Sequence, residues 1–114
     1  MRIPSTPLLL AALLVSGCGK RQTVEVADVT KPSVVTLTAP ADRPLVHGIS
    51  LRFRGHLDGV ATVSGTNVQT QRLTGDFDVS TGGDWYSTNC VLQYSPESVR
   101  SGTVTIEYDF RGSK

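Results

Sequence analysis

Thr103-Val104-Thr105-Ile106-Glu107-Tyr108-Asp109-Phe110-Arg111 alternates without a break: Val104, Ile106, Tyr108 and Phe110 fall on one face, and Thr103, Thr105, Glu107, Asp109 and Arg111 on the other. Successive side chains of a strand point to opposite sides, so this run predicts a strand with one dry and one wet face. Working back along the chain, further stretches with period two and β-branched residues fall at 23–29, 34–39, 49–56, 60–64, 72–80 and 90–95, separated by Gly, Pro, Asn and Asp. No stretch of this region sustains a helical period. The expectation is an all-β fold, a single small antiparallel β-sandwich of about seven strands over 23–114, with a small barrel as the alternative.

One turn can be argued from the faces it must serve. With Asp58-Gly59 as a two-residue turn, Ala61 and Val63 would lie beside Arg54 and His56, mixing core with solvent. A three-residue loop, Leu57-Asp58-Gly59, with Gly59 in the left-handed conformation, instead pairs Phe53 with Val63 and Gly55 with Ala61. Because a one-residue slip reverses every side chain, the sequence favours that hairpin between 49–56 and 60–64. Thr81-Gly82-Gly83-Asp84 and Ser64-Gly65-Thr66-Asn67 read as turns, and Pro40 and Pro44 frame a loop over 39–46.

Arg52, Arg54 and His56 share the outward face of their strand and form a short basic stripe, a candidate site for an acidic partner, anionic glycans or lipid head groups. Asp76 and Asp78 project outward from another strand. If the two strands are neighbours, these carboxylates neutralise the stripe, and that is the favoured reading. Trp85 and Tyr86 follow the glycine pair and, with Tyr94, form an aromatic concentration. The phrase Asp84-Trp85-Tyr86 is the candidate binding group, although packing of Trp85 over the end of a sandwich is the favoured reading.

Catalysis finds little support. A Cys90 nucleophile would need His47 or His56 as its base, yet the alternation puts Cys90 with Leu92 and Tyr94 on an inner face and His56 on an outer one. Cys90 is expected to be a buried, inert thiol. The two histidines and the scattered acids lack metal-ligand spacing, and neither glycine-rich piece has the lysine of a phosphate loop, so no metal, no cofactor and no enzymatic activity are expected.

The first residues carry a different signal. Arg2 precedes an apolar stretch, 8–15, that is shorter than the 20 or so residues needed to span a bilayer, and small residues follow. Val15-Ser16-Gly17-Cys18 resembles the lipobox of bacterial lipoproteins: an aliphatic residue, two small residues, then cysteine. Leu is usual where Val15 stands. The resemblance implies cleavage after Gly17, a diacylglyceryl group on the Cys18 thiol, and in many bacteria another acyl chain on the new amino terminus; two or more chains make anchoring stable. Residue 19 is Gly, not the Asp that commonly retains such proteins in the inner membrane, so the resemblance favours the outer membrane facing the periplasm.

The implied organisation is a signal peptide (1–17), a lipidated tether (18–22) and one domain (23–114). Gly19 to Gln22 reach about 14 Å when fully extended, which keeps the domain near the bilayer. Lys20 and Arg21 lie beside the anchor, where each gains about 1 kcal/mol on an anionic surface. All ten acidic residues and ten of the eleven Lys and Arg lie after residue 17, a balance that gives no reason to expect nucleic acid. The function expected is a noncatalytic binding or interaction module of the cell envelope, with an envelope protein or glycan as partner. The alternatives are a carrier of a small apolar ligand and an inhibitor or exclusion factor against a foreign hydrolase or phage.

Overall fold

The computed structural model describes residues 21–41 and 45–113. The leader, Cys18 and residues 42–44 of the proline-framed loop therefore lie outside the described residues. The order is β1 (Gln22–Glu25), β2 (Ser33–Thr38), β3 (Leu45–Gly65), β4 (Val68–Asp84), β5 (Asn89–Pro96) and β6 (Ser101–Ser113). All pairings are antiparallel and belong to one curled sheet ordered β1-β6-β3-β5-β2, with β4 along the remaining side of β3.

Six strands stand where about seven were expected, because 49–56 and 60–64 are not a hairpin. They are consecutive parts of β3, which runs 21 residues and pairs with the 17-residue β4. Phe53 lies opposite Val79 and Ile106, not Val63. The expected turn at Leu57-Asp58-Gly59 is a bulge: Leu57 faces Gly75 and Val60 faces Thr74, so Asp58 and Gly59 have no counterpart in β4. The strand bends there and changes its other neighbour. Up to Asp58 it pairs with β6, and from Ala61 it pairs with β5.

The bend has its own bonds. The Arg100 amide donates to the Asp58 carbonyl (2.9 Å) and the Glu97 amide to the Val60 carbonyl (2.8 Å), which ties the β5–β6 connection around the bulge. The Thr74 hydroxyl donates to the Gly59 carbonyl at 2.8 Å, satisfying a group that the bulge removes from the ladder. Gly59 has φ +140°, and a Cβ there would fall on the Ser98 carbonyl oxygen. Opposite Leu57, Gly75 takes φ +60° with open space where a Cβ would be.

Two other expectations are corrected. The strand expected over 23–29 stops at Glu25, with one further bond from the Val26 amide to the Val104 carbonyl. Asp28 then turns the chain, its carboxylate accepting from the Thr30 amide (3.0 Å) and hydroxyl (2.6 Å), which hold its pKa below the usual value. Thr81-Gly82-Gly83-Asp84 is not a turn but the end of β4, in register with Gly48 to Leu51. A side chain at Gly82 would strike the Ile49 carbonyl, so glycine here permits close strand approach. The other turn lies where expected, at the β3–β4 tip, with Asn67 at φ +62°.

The bent ribbon gives both halves a common interior. Phe53, Leu51, Val104, Ile106 and Phe110 from one side meet Leu37, Ala61, Leu73, Leu92 and Tyr94 from the other in a single cluster, each 2% exposed or less. Burying a side chain of Leu or Phe size contributes roughly 1.5–3 kcal/mol, so this cluster outweighs any surface pair. The Tyr94 hydroxyl donates to the Val29 carbonyl at 2.7 Å, fastening the β1–β2 connection across the core. Gly75→Ala is expected to cost about 1–2 kcal/mol, the penalty of a left-handed residue alone. Gly59→Ala adds a backbone collision and is expected to lower the thermal midpoint much further; equal midpoints for the two variants in thermal denaturation would contradict the bend.

Candidate functional site

The basic stripe lies on the outer face of β3 between β4 and β6, and both neighbours answer it. Arg52 opposes Ser80 on β4 and Glu107 on β6, while Arg54 opposes Asp78 and Thr105. The Arg52 guanidinium donates Nε–H and Nη2–H to the two oxygens of Asp78 at 2.8 and 2.6 Å, a bidentate pair. Arg54 reaches Glu107 at 2.6 Å, Arg52 lies 3.8 Å from the other Glu107 oxygen, and His56 Nδ1 meets Asp76 at 2.6 Å. Arg52 and Arg54 are thus paired, as the sequence favoured.

Glu107 is the keystone of this ladder. Its side chain is only 11% exposed, against 38% and 47% for the two arginines. Its role was not legible beforehand, because in sequence it looks like any wet-face residue of β6. The hydrogen bonds from Arg52 lower the Asp78 carboxyl below its ordinary 3.8, and Asp78 in turn raises the guanidinium. A carboxyl with a depressed folded value stabilises the fold above its unfolded pKa and loses that contribution as pH falls through the folded one.

Cys90 is 1% exposed and pairs with Leu37 inside the second half of the ribbon; burial pushes its thiol up to about 11. His47 and His56 are exposed, so the described geometry provides no thiol–imidazole pair. The buried thiol agrees with the sequence reading.

The aromatic residues do not form one group: Tyr94 is buried in the core, while Trp85 and Tyr86 lie on the β4–β5 loop, where Trp85 borders open hollows. Four hydrogen bonds fix the β4–β5 loop: Trp85 amide to His47 carbonyl (3.3 Å), Ala39 amide to Thr88 carbonyl (2.7 Å), Trp85 Nε1–H to Asn89 carbonyl (3.0 Å), and Asn89 amide to Ser87 hydroxyl (3.1 Å). Trp85 is half-buried against the core and Tyr86 is 77% exposed. Curling of the ribbon brings the β3–β4 tip to this loop. Asn67 and Trp85 together line three open hollows, one of about 280 Å³ floored by Ile49, Leu51 and Val68, and two of about 320 Å³ edged by Asp84, Ser87 or Asn89. In the sequence Asn67 reads only as a turn residue. Its contribution depends on the bend, which no local pattern reveals.

An aromatic ring between hollows rimmed by amide, hydroxyl and carboxylate groups can stack on a flat ligand face and hydrogen-bond its edges. Among the described residues no group of three His, Cys, Asp or Glu is placed to hold a metal.

No protein-family model matches this sequence, and no curated protein matches it. Among solved structures it is similar to a de novo designed double-stranded β-helix determined by solution NMR, at 10% identity and a TM-score of 0.44, covering 82% of this chain and all of the design.

Glu107→Ala leaves both arginines without their least exposed partner and is expected to cost about 1–3 kcal/mol in urea denaturation. Asp78→Asn is expected to cost much less, with a deficit present at neutral pH and vanishing below pH 3.8. Iodoacetamide at pH 8 is expected to modify Cys90 only in denaturant, read by peptide mapping; labelling of Cys90 in the native protein would place its thiol at the surface.

Proposed function

We propose that this chain is a lipid-anchored, noncatalytic binding module of the bacterial cell envelope, acting at the periplasmic face of the outer membrane. The address rests on the resemblance of Val15-Ser16-Gly17-Cys18 to a lipobox, with Cys18 as the acylated residue. The binding role rests on one observation: Trp85 is held by backbone bonds on a pinned loop and shares three hollows with Asn67. A site ordered before the ligand arrives loses little entropy on binding.

The ligand class that fits is an envelope glycan. A sugar ring offers an apolar face to Trp85 and hydroxyls to Asn67, Asp84 and Ser87, whereas an extended acidic partner would need free guanidinium groups. Arg52 and Arg54 are already committed to Asp78 and Glu107, which argues against the basic stripe as the recognition surface. The carrier reading is disfavoured by Phe53, Phe110 and Tyr94, which fill the space between the halves of the ribbon at 1% exposure or less.

Intact mass and membrane fractionation of the natively expressed protein should show acyl mass in the outer-membrane fraction, with both lost in Cys18→Ala. Titration with soluble envelope glycan fragments should change the emission of Trp85, the single tryptophan of the chain. Trp85→Ala, followed by calorimetry, should weaken binding at least about tenfold, equivalent to about 1.4 kcal/mol. Unchanged affinity in that variant would remove the site from the proposal.

A further inference from the structure

We infer that the end of the domain from which β1 emerges is a membrane-seating surface, in which Leu45 and Tyr86 enter the interface of a phospholipid bilayer. This inference rests on the proposed lipid anchor at Cys18 and adds the face that the anchored domain turns to the lipid.

Strand register fixes which residues share that end. Gln22, the first residue of β1, lies in a row with Tyr108, Leu51 and Thr81. Moving beyond this row in the direction from which the chain enters β1, the next rows are Asp109–Ser50–Gly82, Phe110–Ile49–Gly83 and Arg111–Gly48–Asp84, and then Ser113 with Leu45. Arg21 therefore leaves the sheet toward the rim carrying Leu45 and the β4–β5 loop. The Trp85 amide bond to the His47 carbonyl joins that loop to the start of β3, so Tyr86 and Leu45 belong to one rim.

These two side chains are the most exposed large apolar groups of the described residues, at 77% and 65%. Val34 and Val91, also exposed, lie on the outer face of β2 and β5 in the other half of the ribbon. A phenol ring beside an aliphatic side chain suits the headgroup boundary, where an apolar body and a polar tip are both satisfied.

Charge plays the smaller part. Arg111 lies over Gly48, where a Cβ would collide with its guanidinium, and it donates to the carbonyls of Ile49 (3.4 Å) and Gly83 (3.5 Å). Arg111 and Arg21 offer two cations to phosphate groups, while Asp84 and Asp109 stand in the same rows and offset them. The seating should therefore be mainly apolar and only weakly sensitive to salt. Two side chains are too few to hold a free protein on a bilayer. The short tether makes their contact intramolecular, so a weak surface becomes an orienting one. The orientation places the Trp85 hollows at headgroup level.

The test uses the full-length protein purified from membranes and reconstituted into phosphatidylethanolamine–phosphatidylglycerol vesicles, with the acyl state of the same sample read by intact mass. Trp85, adjacent to Tyr86, reports depth through quenching by lipids brominated near the headgroup end of the acyl chain. Quenching is expected in the wild type, largely lost in L45E/Y86E, and retained in Val34→Glu and at high salt. Circular dichroism checks that each variant is folded. Acylated, folded wild type without quenching would overturn the seating while leaving the anchor intact; an unacylated chain would overturn both. A crosslinked dimer through Tyr86 with no lipid quenching would assign the rim to a second copy and also overturn the inference.

Discussion

The fold depends on a single change of partner. At Asp58-Gly59 one strand stops pairing with β6 and begins pairing with β5, while its other edge stays bonded to β4 throughout. A straight ribbon could bury only one face against something else. Bent at this point, it folds over itself, and the dry faces of its two ends become each other's cover. The two extra residues of the bulge, the glycine that lets Ser98 approach, and the amides of Glu97 and Arg100 all act at this corner. The core of Phe53, Leu73, Leu92 and Ile106 exists because the corner closes.

The outer face of the first half shows how a sheet can pair its own charges along one row. Glu107 sits low between two arginines, and Asp78 closes the row from the other side. The ladder contributes less than the apolar cluster beneath it. Its larger effect is on recognition, because guanidinium groups engaged within the sheet are poor bait for an acidic ligand. That leaves the rim and the Trp85 hollows as the surfaces with unspent chemistry: a ring, amides and exposed apolar groups on a loop fixed at four points.

Much of this was legible in the residues, and the failures have physical causes. The alternation from Val104 to Phe110 gives the inner face of β6, and Asp76 and Asp78 fall outward opposite the basic stripe as their spacing requires. The hairpin expected at Leu57-Asp58-Gly59 failed because a bulge and a tight turn use the same residues. What separates them is a remote segment, 97–100, bonding around the corner, and that information is not local. Gly82-Gly83 misled in the same way, since glycine serves close strand approach as readily as reversal. The chemistry of Trp85 and Tyr86 shows in the sequence, while the neighbourhood of Asn67 and Trp85 does not, because it arises only through the bend.

Backbone NOEs in an isotopically labelled sample test the bent ribbon most directly. Continuous β3 predicts cross-strand contacts in the rows Arg52–Ser80, Arg52–Glu107 and Thr62–Ser95, and places Asn67 beside Trp85. Backbone contacts pairing Phe53 with Val63 and Gly55 with Ala61 would instead mean a hairpin closed at Leu57 to Gly59. That result would contradict the shared core and the Trp85 site together.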